Sequence, residues 1–373
     1  ISFAQTWSSN KAKPDGNGCL SYEIDANQNK IPDFSHAGYK GGGFAIPSIA
    51  VKKTISPIPG DNTQHIQNAI DEVALLPLVN GFRGAVLLDA GTYDVNGSLY
   101  INASGIVLRG VGDGRTGNEE TIIYGRGDTP HQRNLITLGG GTSTKWAGQV
   151  TNTQQNITSN FVPVGSFSFD VVDGSQYTVG GNIIINHPCS NAWLAAIDYG
   201  ETGADAGWTE SAYPIIFNRY ITAINGNTIT IDAPVYNHLD RNLSQSFIYK
   251  YDRSGLLTNI GIENLKVDIE TAGGDDENHV WNAIQLTQIE DAWVQNCTIL
   301  HFGLSGVRTE TASRITVSNC HSLDPVSITT GGRKYNFNSY AWTNNILFDN
   351  CHARNGRHHY VSNGVTSVSG FVV

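Results

Sequence analysis

Cationic and proton-transfer side chains gather at two places in the chain: Gly331-Gly332-Arg333-Lys334-Tyr335-Asn336-Phe337 and Asn355-Gly356-Arg357-His358-His359-Tyr360. The formal net charge is −10, so a groove holding Arg333, Lys334, Arg357 and His358 is a local reversal of sign. That contrast fits an anionic glycan such as a uronate polymer. β-Elimination on a uronate requires three things: neutralisation of the carboxylate, removal of the acidic C5 proton and protonation of the leaving oxygen. Arg333 or Arg357 can clamp the carboxylate through a bidentate fork. His358 or Lys334 can take the proton, and Tyr335 can protonate the glycosidic oxygen or, as tyrosinate beside cations, serve as the base. The competing reading is a solvated cationic loop, with His359 and Tyr360 packed into the next coil.

Other residues bid for the same groove. At a 23-residue offset, Gln285 falls on Arg308 and Thr287 on Glu310, which makes Arg308 and Glu310 part of an outward polar stripe. His301 at a turn and His279 after Asp275-Asp276-Glu277 are further glycan-contact candidates, each open to a purely local role. Trp193 and Trp208 offer sugar-stacking faces, or else pack a core. Asp268, Glu270, Asp275 and Asp276 are hard-cation ligands in type, so calcium is admitted as a cofactor, although the arginines make a metal less necessary. Hydrolysis needs two carboxylates flanking the bond, and Glu310 with Asp324 is the best pair available.

These residues must be positioned by a repeating scaffold. Val294-Gln295-Asn296-Cys297-Thr298, Val317-Ser318-Asn319-Cys320-His321 and Phe348-Asp349-Asn350-Cys351-His352 repeat one strand-and-turn template. The cysteines are spaced 23 and 31 residues apart, so the second interval carries a longer loop, and Arg333 and Lys334 lie in it. Stacked units of this kind bury alternate apolar residues under the next coil, and a right-handed parallel β-helix is the simplest fold that does so. Cys297, Cys320 and Cys351 read as inward ladder thiols, and His321 with His352 as a stacked turn pair.

Composition agrees with one extended β protein. Glycine is frequent at 41 residues and charged residues make up 15%, as many tight turns and few surface helices require. The acidic balance and the lack of a basic patch argue against nucleic acid, and no apolar run is long enough to span a membrane. The chain opens at Ile1 without a signal peptide, which fits a processed product.

Four stretches follow. Residues 1–60 are turn-rich and read as a strap. Residues 61–165 hold a capping helix and the first coils: Asp61 or Thr63 can cap a helix with apolar face Ile66, Ala69, Ile70 and Val73. Residues 166–240 break the rhythm and read as an inserted antiparallel lobe with an Asn225-Gly226 hairpin signal. Residues 241–373 resume the coils and end on a strand-like Phe371-Val372-Val373, an uncapped edge that predicts further protein, or a second chain, paired with it.

Asp61-Asn62-Thr63 with Ile66-Gln67-Asn68-Ala69-Ile70, then Gly91-Thr92-Tyr93, resemble the cap and first coil of the pectate-lyase-like superfamily of right-handed β-helices. The resemblance implies a secreted, periplasmic or cell-surface protein acting on polysaccharides; it identifies the fold better than the reaction. A polysaccharide lyase on an acidic glycan is the favoured activity. The alternatives are a glycoside hydrolase, a uronate epimerase or a noncatalytic glycan-binding β-helix. The polygalacturonase-like branch carries clustered aspartates and a Gly-His segment on consecutive coils. Here Asp275-Asp276 precede the relevant coils and no Gly-His-Gly follows.

Overall fold

The computed structural model describes the chain apart from residues 1–8, 16, 18, 19, 118, 141–145, 147, 201–206 and 365–367. Cys19 therefore lies outside the described residues. Two compact units emerge, residues 37–148 with 252–373, and residues 1–36 with 149–251.

In the first of these, every coil contributes three strands, and each strand pairs in parallel with its counterpart on the next coil. One face stacks Asn134–Gly139, the leading halves of Asn282–Gln295 and Ser305–Ser318, then Tyr335–Tyr340 and His358–Asn363. The second face runs through Gly84–Leu88, Ile106–Arg109, Leu257–Glu263, the trailing halves of the two long strands and Thr343–Asp349. The third stacks Gly91–Val95, Thr121–Gly125, Lys266–Ile269, Thr298–Leu300, His321–Leu323 and His352–Arg354. This is a parallel β-helix.

The long strands turn from the first face to the second at left-handed residues, Gln288 and Asp291 in one coil, Thr311 and Arg314 in the next, Trp342 and Asn345 in the third. Side chains at equal positions form columns, such as Ile136, Ile284, Val307 and Phe337, all at most 1% exposed. The column of thiols is continuous: Cys297 and Cys320 are fully buried, and Cys351 is half-buried at the last described repeat. Burial together with its two thiol neighbours pushes the Cys320 thiol up, whereas Cys320 donating to Cys351 lowers the latter. Asn264, Asn296, Asn319 and Asn350 precede the third face with φ near +50°, at 55°, 54°, 51° and 50°. Their amides link in pairs, Asn296 Nδ2 to Asn264 Oδ1 at 2.9 Å and Asn350 Nδ2 to Asn319 Oδ1 at 2.6 Å. The amide bonds offset the unfavourable left-handed backbone.

Helix Thr63–Ala74 buries Ile66, Ala69, Ile70 and Val73 in the same core as Val86, Leu88 and Tyr93. Asp61 accepts from the Thr63 N–H at 2.9 Å, and Asn62 holds the preceding turn through the Ile58 and Gly60 carbonyls. Residues 1–60 do not act as one segment: Val51–Ile55 is a parallel edge strand beside Gly84–Leu88. Tyr39 reaches the second face, its N–H bonding Thr316 Oγ1 at 2.8 Å and its hydroxyl Asn259 Oδ1 at 2.9 Å.

The other unit is antiparallel, with strand order Gln155–Asn156, Phe247–Tyr249, Asn182–His187, Ile215–Asn225, Thr228–Ile231 and Ser168–Asp170. The Asn225–Thr228 hairpin turns at Gly226, whose φ of 59° suits glycine. Its pairing extends beyond 166–240 at both ends, because Gln155 and Asn156 join Phe247 and Ile248. Ile183, Ile185, Phe217 and Ile229 centre its core.

The thiol column orders reactivity. In native protein treated with iodoacetamide, peptide mass spectrometry is expected to find Cys351 alkylated well before Cys297 and Cys320, because the thiolate is the nucleophile, Cys351 is lowered and half-exposed, and the other two are buried. Equal rates for the three would contradict the column.

Candidate functional site

The first face begins with Tyr335 and His358 paired in register on adjacent coils, so Lys334 and Arg357 fall side by side one residue earlier. Lys334 is left-handed, with φ 57°, and its carbonyl accepts the Arg357 N–H at 2.8 Å. This backbone contact fixes the turn that carries Arg357. The Tyr335 ring is buried, at 6% exposure, while Arg357 and His358 are exposed.

The phenol oxygen accepts from the Gly332 N–H at 2.9 Å and, more weakly, from Arg357 Nη1 at 3.4 Å. Arg357 Nη1 also donates to His358 Nε2 at 2.9 Å, which leaves the imidazole proton on Nδ1. The Tyr335 and His358 rings lie 5.4 Å apart. Tyr335, Arg357 and His358 thus form one constellation: a hydroxyl whose own proton is free to be donated, an imidazole lone pair and a guanidinium. Among the described residues, Arg357 has no carboxylate partner.

Arg333 is drawn elsewhere. Its Nε donates to Glu277 Oε1 at 2.5 Å and its guanidinium lies 4.6 Å from the Trp281 ring centre. Glu277 also accepts from Ser327 Oγ at 2.5 Å, and the Arg333 contact holds its carboxyl below the usual carboxylate range. Arg333 is therefore a brace for the 327–333 loop, not a free clamp. Lys334 Nζ bonds Thr329 Oγ1 at 3.2 Å in the same loop. Glu277 was legible only as one member of an acidic run.

The flanking candidates separate in the same way. Arg308 bonds Gln285 Oε1 and Glu310, each at 3.1 Å, and sits 4.2 Å from the centre of the Tyr340 ring, so the polar stripe exists as a neutralised network. His279 is 1% exposed and its Nε2 contacts the Val326 and Asp276 carbonyls at 2.9 and 3.1 Å, which places it inside its loop rather than toward a ligand. His301 is half-buried, and its Nδ1 lies 2.7 Å from Asp268 Oδ1. That bond raises the His301 pKa, with nearby Asp324 adding to it. Asp324 pairs with Arg354 and accepts from Asn355 at 2.8 Å, so it is not an open partner for Glu310.

Three of the four hard-oxygen residues are spoken for as well. Asp268 holds His301, Glu270 pairs with Arg126 at 3.0 Å, and Asp276 accepts from Ala272 and Asn278 at 2.9 Å; Asp275 is exposed. In the antiparallel unit, Trp193 and Trp208 stack with centroids 6.4 Å apart, Tyr213 lies 4.4 Å from Trp208, and Gly200 closes against the same indole. Both tryptophans are half-buried by neighbours within their unit.

No family model and no curated protein sequence matches the chain. Among solved structures, it is similar to the tailspike protein gp49 from Pseudomonas phage LKA1, at 16% identity and a TM-score of 0.45, over 78% of this chain and 39% of that one. It is also similar to ORF18 of Geobacillus virus E2, at 15% identity and a TM-score of 0.43, over 84% and 39%. A third is the tailspike gp61 of Pseudomonas phage phi297, at 12% identity and a TM-score of 0.36, over 81% and 51%. The chain spans about half or less of these proteins' length.

The His301–Asp268 pair gives a pH dependence. Because the folded pKa of His301 is raised, its contribution to stability is full below the unfolded value, about 6.5, and is lost as pH rises through the folded value. Thermal unfolding of wild type and His301→Gln should therefore differ most near pH 5.5 and converge at pH 8.5, by roughly those reference values. A gap that is constant with pH would refute the charged pair.

Proposed function

We propose that the protein cleaves an acidic, uronate-containing polysaccharide by β-elimination, with Tyr335, Arg357 and His358 acting at the start of the first face. One observation carries this reading. Arg357, a cation with no carboxylate partner among the described residues, touches both proton-transfer groups at once. A guanidinium so placed can take the uronate carboxylate in a bidentate grip and draw electron density from C5.

When Arg357 turns to the carboxylate it releases His358 Nε2, whose lone pair then removes the C5 proton. The C5–H electrons form the C4–C5 double bond and the C4–O bond breaks. The leaving oxygen takes the Tyr335 hydroxyl proton, which no described acceptor claims. Lys334 adds positive charge beside Arg357, and Arg333, tied to Glu277, keeps the Gly332 N–H on the phenol. Neutralisation by Arg357 makes a metal less necessary, and among the described residues no cluster of side chains has the make-up of a metal site. Arg308 and Glu310 serve as polar contacts for neighbouring sugars, and the Trp193–Trp208 stack offers a sugar-stacking face within the antiparallel unit.

The same reading makes the solenoid right-handed, helix Thr63–Ala74 its terminal cap and the antiparallel unit an insertion. It also gives the protein an extracellular, periplasmic or cell-surface place of work.

The test is a panel of uronate glycans followed by ultraviolet absorbance, reducing ends and C5 configuration, with and without EDTA. The expected result is an absorbing unsaturated uronate that survives EDTA. Tyr335→Phe and His358→Ala should each lower kcat by about 10²–10⁴ with little change in KM, as for loss of a proton-transfer group. Arg357→Ala should raise KM as well. Reducing ends without absorbance would mean hydrolysis, inversion without shortening would mean epimerisation, and no change in any glycan would leave a binder.

A further inference from the structure

We propose that the asparagine ladder is the floor of a second, non-catalytic saccharide-binding cleft, which takes an extended stretch of glycan through its hydroxyl groups. The ladder residues occupy the corner before the third face, whereas Arg357 and Tyr335 occupy the corner before the first. The two sites are distinct on the coil. The inference stands independently of the elimination reading.

A cleft of about 510 Å³ runs over Asn264, Asn296, Asn319 and Asn350, with Val111, Gly112, Asp113, Arg115 and Thr116 forming its wall. That volume lies within the range of small-ligand pockets, roughly 300–1,000 Å³. The wall is anchored rather than loose: Asp113, 5% exposed, accepts from Thr298 Oγ1 at 2.9 Å, and Arg115 Nη2 donates to the Asn319 carbonyl at 2.6 Å.

The chemistry of the lining selects the ligand. Val111 is the one large apolar residue among the described lining groups, so no continuous apolar side-chain surface holds a greasy ligand, whereas the mixed lining suits the alternating polar and C–H faces of a sugar. Asp113 and Arg115 pair with each other, so the described lining residues offer no unpaired charge for a phosphate or an ammonium. What remains is amide. Each side-chain amide has two N–H donors and two acceptor lone pairs, and a ladder bond uses one donor of Asn296 or Asn350 and one lone pair of Asn264 or Asn319. Every ladder residue therefore keeps both donor and acceptor capacity. Vicinal hydroxyls, which donate and accept from neighbouring oxygens, are the group that matches it.

Spacing points the same way. Equivalent residues recur on successive paired coils, Glu263 with Gln295, Gln295 with Ser318 and Ser318 with Asp349, each just before its ladder asparagine. Adjacent strands lie about 4.8 Å apart, close to the advance per sugar of an extended 1,4-linked glycan. A polymer lying along the stack axis meets one amide per residue.

Thr116→Trp puts bulk into this cleft from an exposed wall position while leaving the ladder residues themselves unchanged. Calorimetry on Tyr335→Phe protein, silenced to prevent turnover, would use hexasaccharides of galacturonate, mannuronate, 1,4-linked glucose and 1,4-linked xylose. The expected result is that adding Thr116→Trp removes one binding site or weakens it about tenfold, with the melting temperature unchanged. If the elimination corner binds nothing, the starting protein shows one site and the double variant none, which upholds this cleft while sinking the elimination reading. Unaltered site number and affinity in the double variant, or no binding of any hexasaccharide, would overturn the proposal.

Discussion

In-register parallel pairing is the constraint on which the rest of the solenoid depends. Because each strand bonds to its counterpart one coil away, a residue's place in the coil fixes its column, and every column must tolerate stacking at strand spacing. Ile136, Ile284, Val307 and Phe337 satisfy this with apolar bulk. Gly261 satisfies it differently: a Cβ there would come within 2.2 Å of the Trp293 indole, so the glycine makes room for a ring whose Nε1 bonds Glu263 at 2.8 Å. The chain leaves the coil after Asn134–Gly139 and returns at Leu257–Glu263, and the returning strand pairs directly with Ile106–Arg109. Register survives the long excursion.

The same constraint puts chemistry at the corners. Strand interiors are committed to pairing and burial, whereas left-handed corners hold polar side chains, some buried, as Asp291, Thr311 and Asn345 are, and others exposed. Lys334, His301, Asp324 and the ladder asparagines all have positive φ. At one corner the outcome is an amide floor with balanced charge. At another it is a guanidinium poised between a phenol and an imidazole. The difference lies in which loops grow from the corner, since the segment between Asp324 and Lys334 supplies Glu277's partners Ser327 and Arg333.

Repetition made part of this legible from sequence. The Asn-Cys template exposed the ladder and the thiol column, and the 23-residue offset gave the pairing of Gln285 with Arg308 and Thr287 with Glu310. Tyr335 and His358 could be read as neighbours for the same reason. Partnerships that do not repeat were not legible. Arg333 meets Glu277 across 56 residues, and only the folded loop decides that its charge is neutralised. His279 after an acidic run reads as a glycan contact or as a residue with a purely local role, and only the folded loop, which offers it two carbonyls, decides for the local role. The wall at 111–116 carries no signal in the sequence because its anchors, Thr298 and Asn319, lie 185 and 204 residues away. The antiparallel unit reaches beyond 166–240 through Gln155–Asn156, a strand too short to show a period.

The central claim is that Arg357 receives a uronate carboxylate between Tyr335 and His358. A crystal structure of the Tyr335→Phe, His358→Ala protein soaked with a uronate hexasaccharide tests it most directly. The account predicts a carboxylate in a two-point contact with the Arg357 guanidinium, with C5 facing position 358 and the glycosidic oxygen facing position 335. A saccharide bound elsewhere on the first face, with Arg357 still turned to solvent, would contradict it.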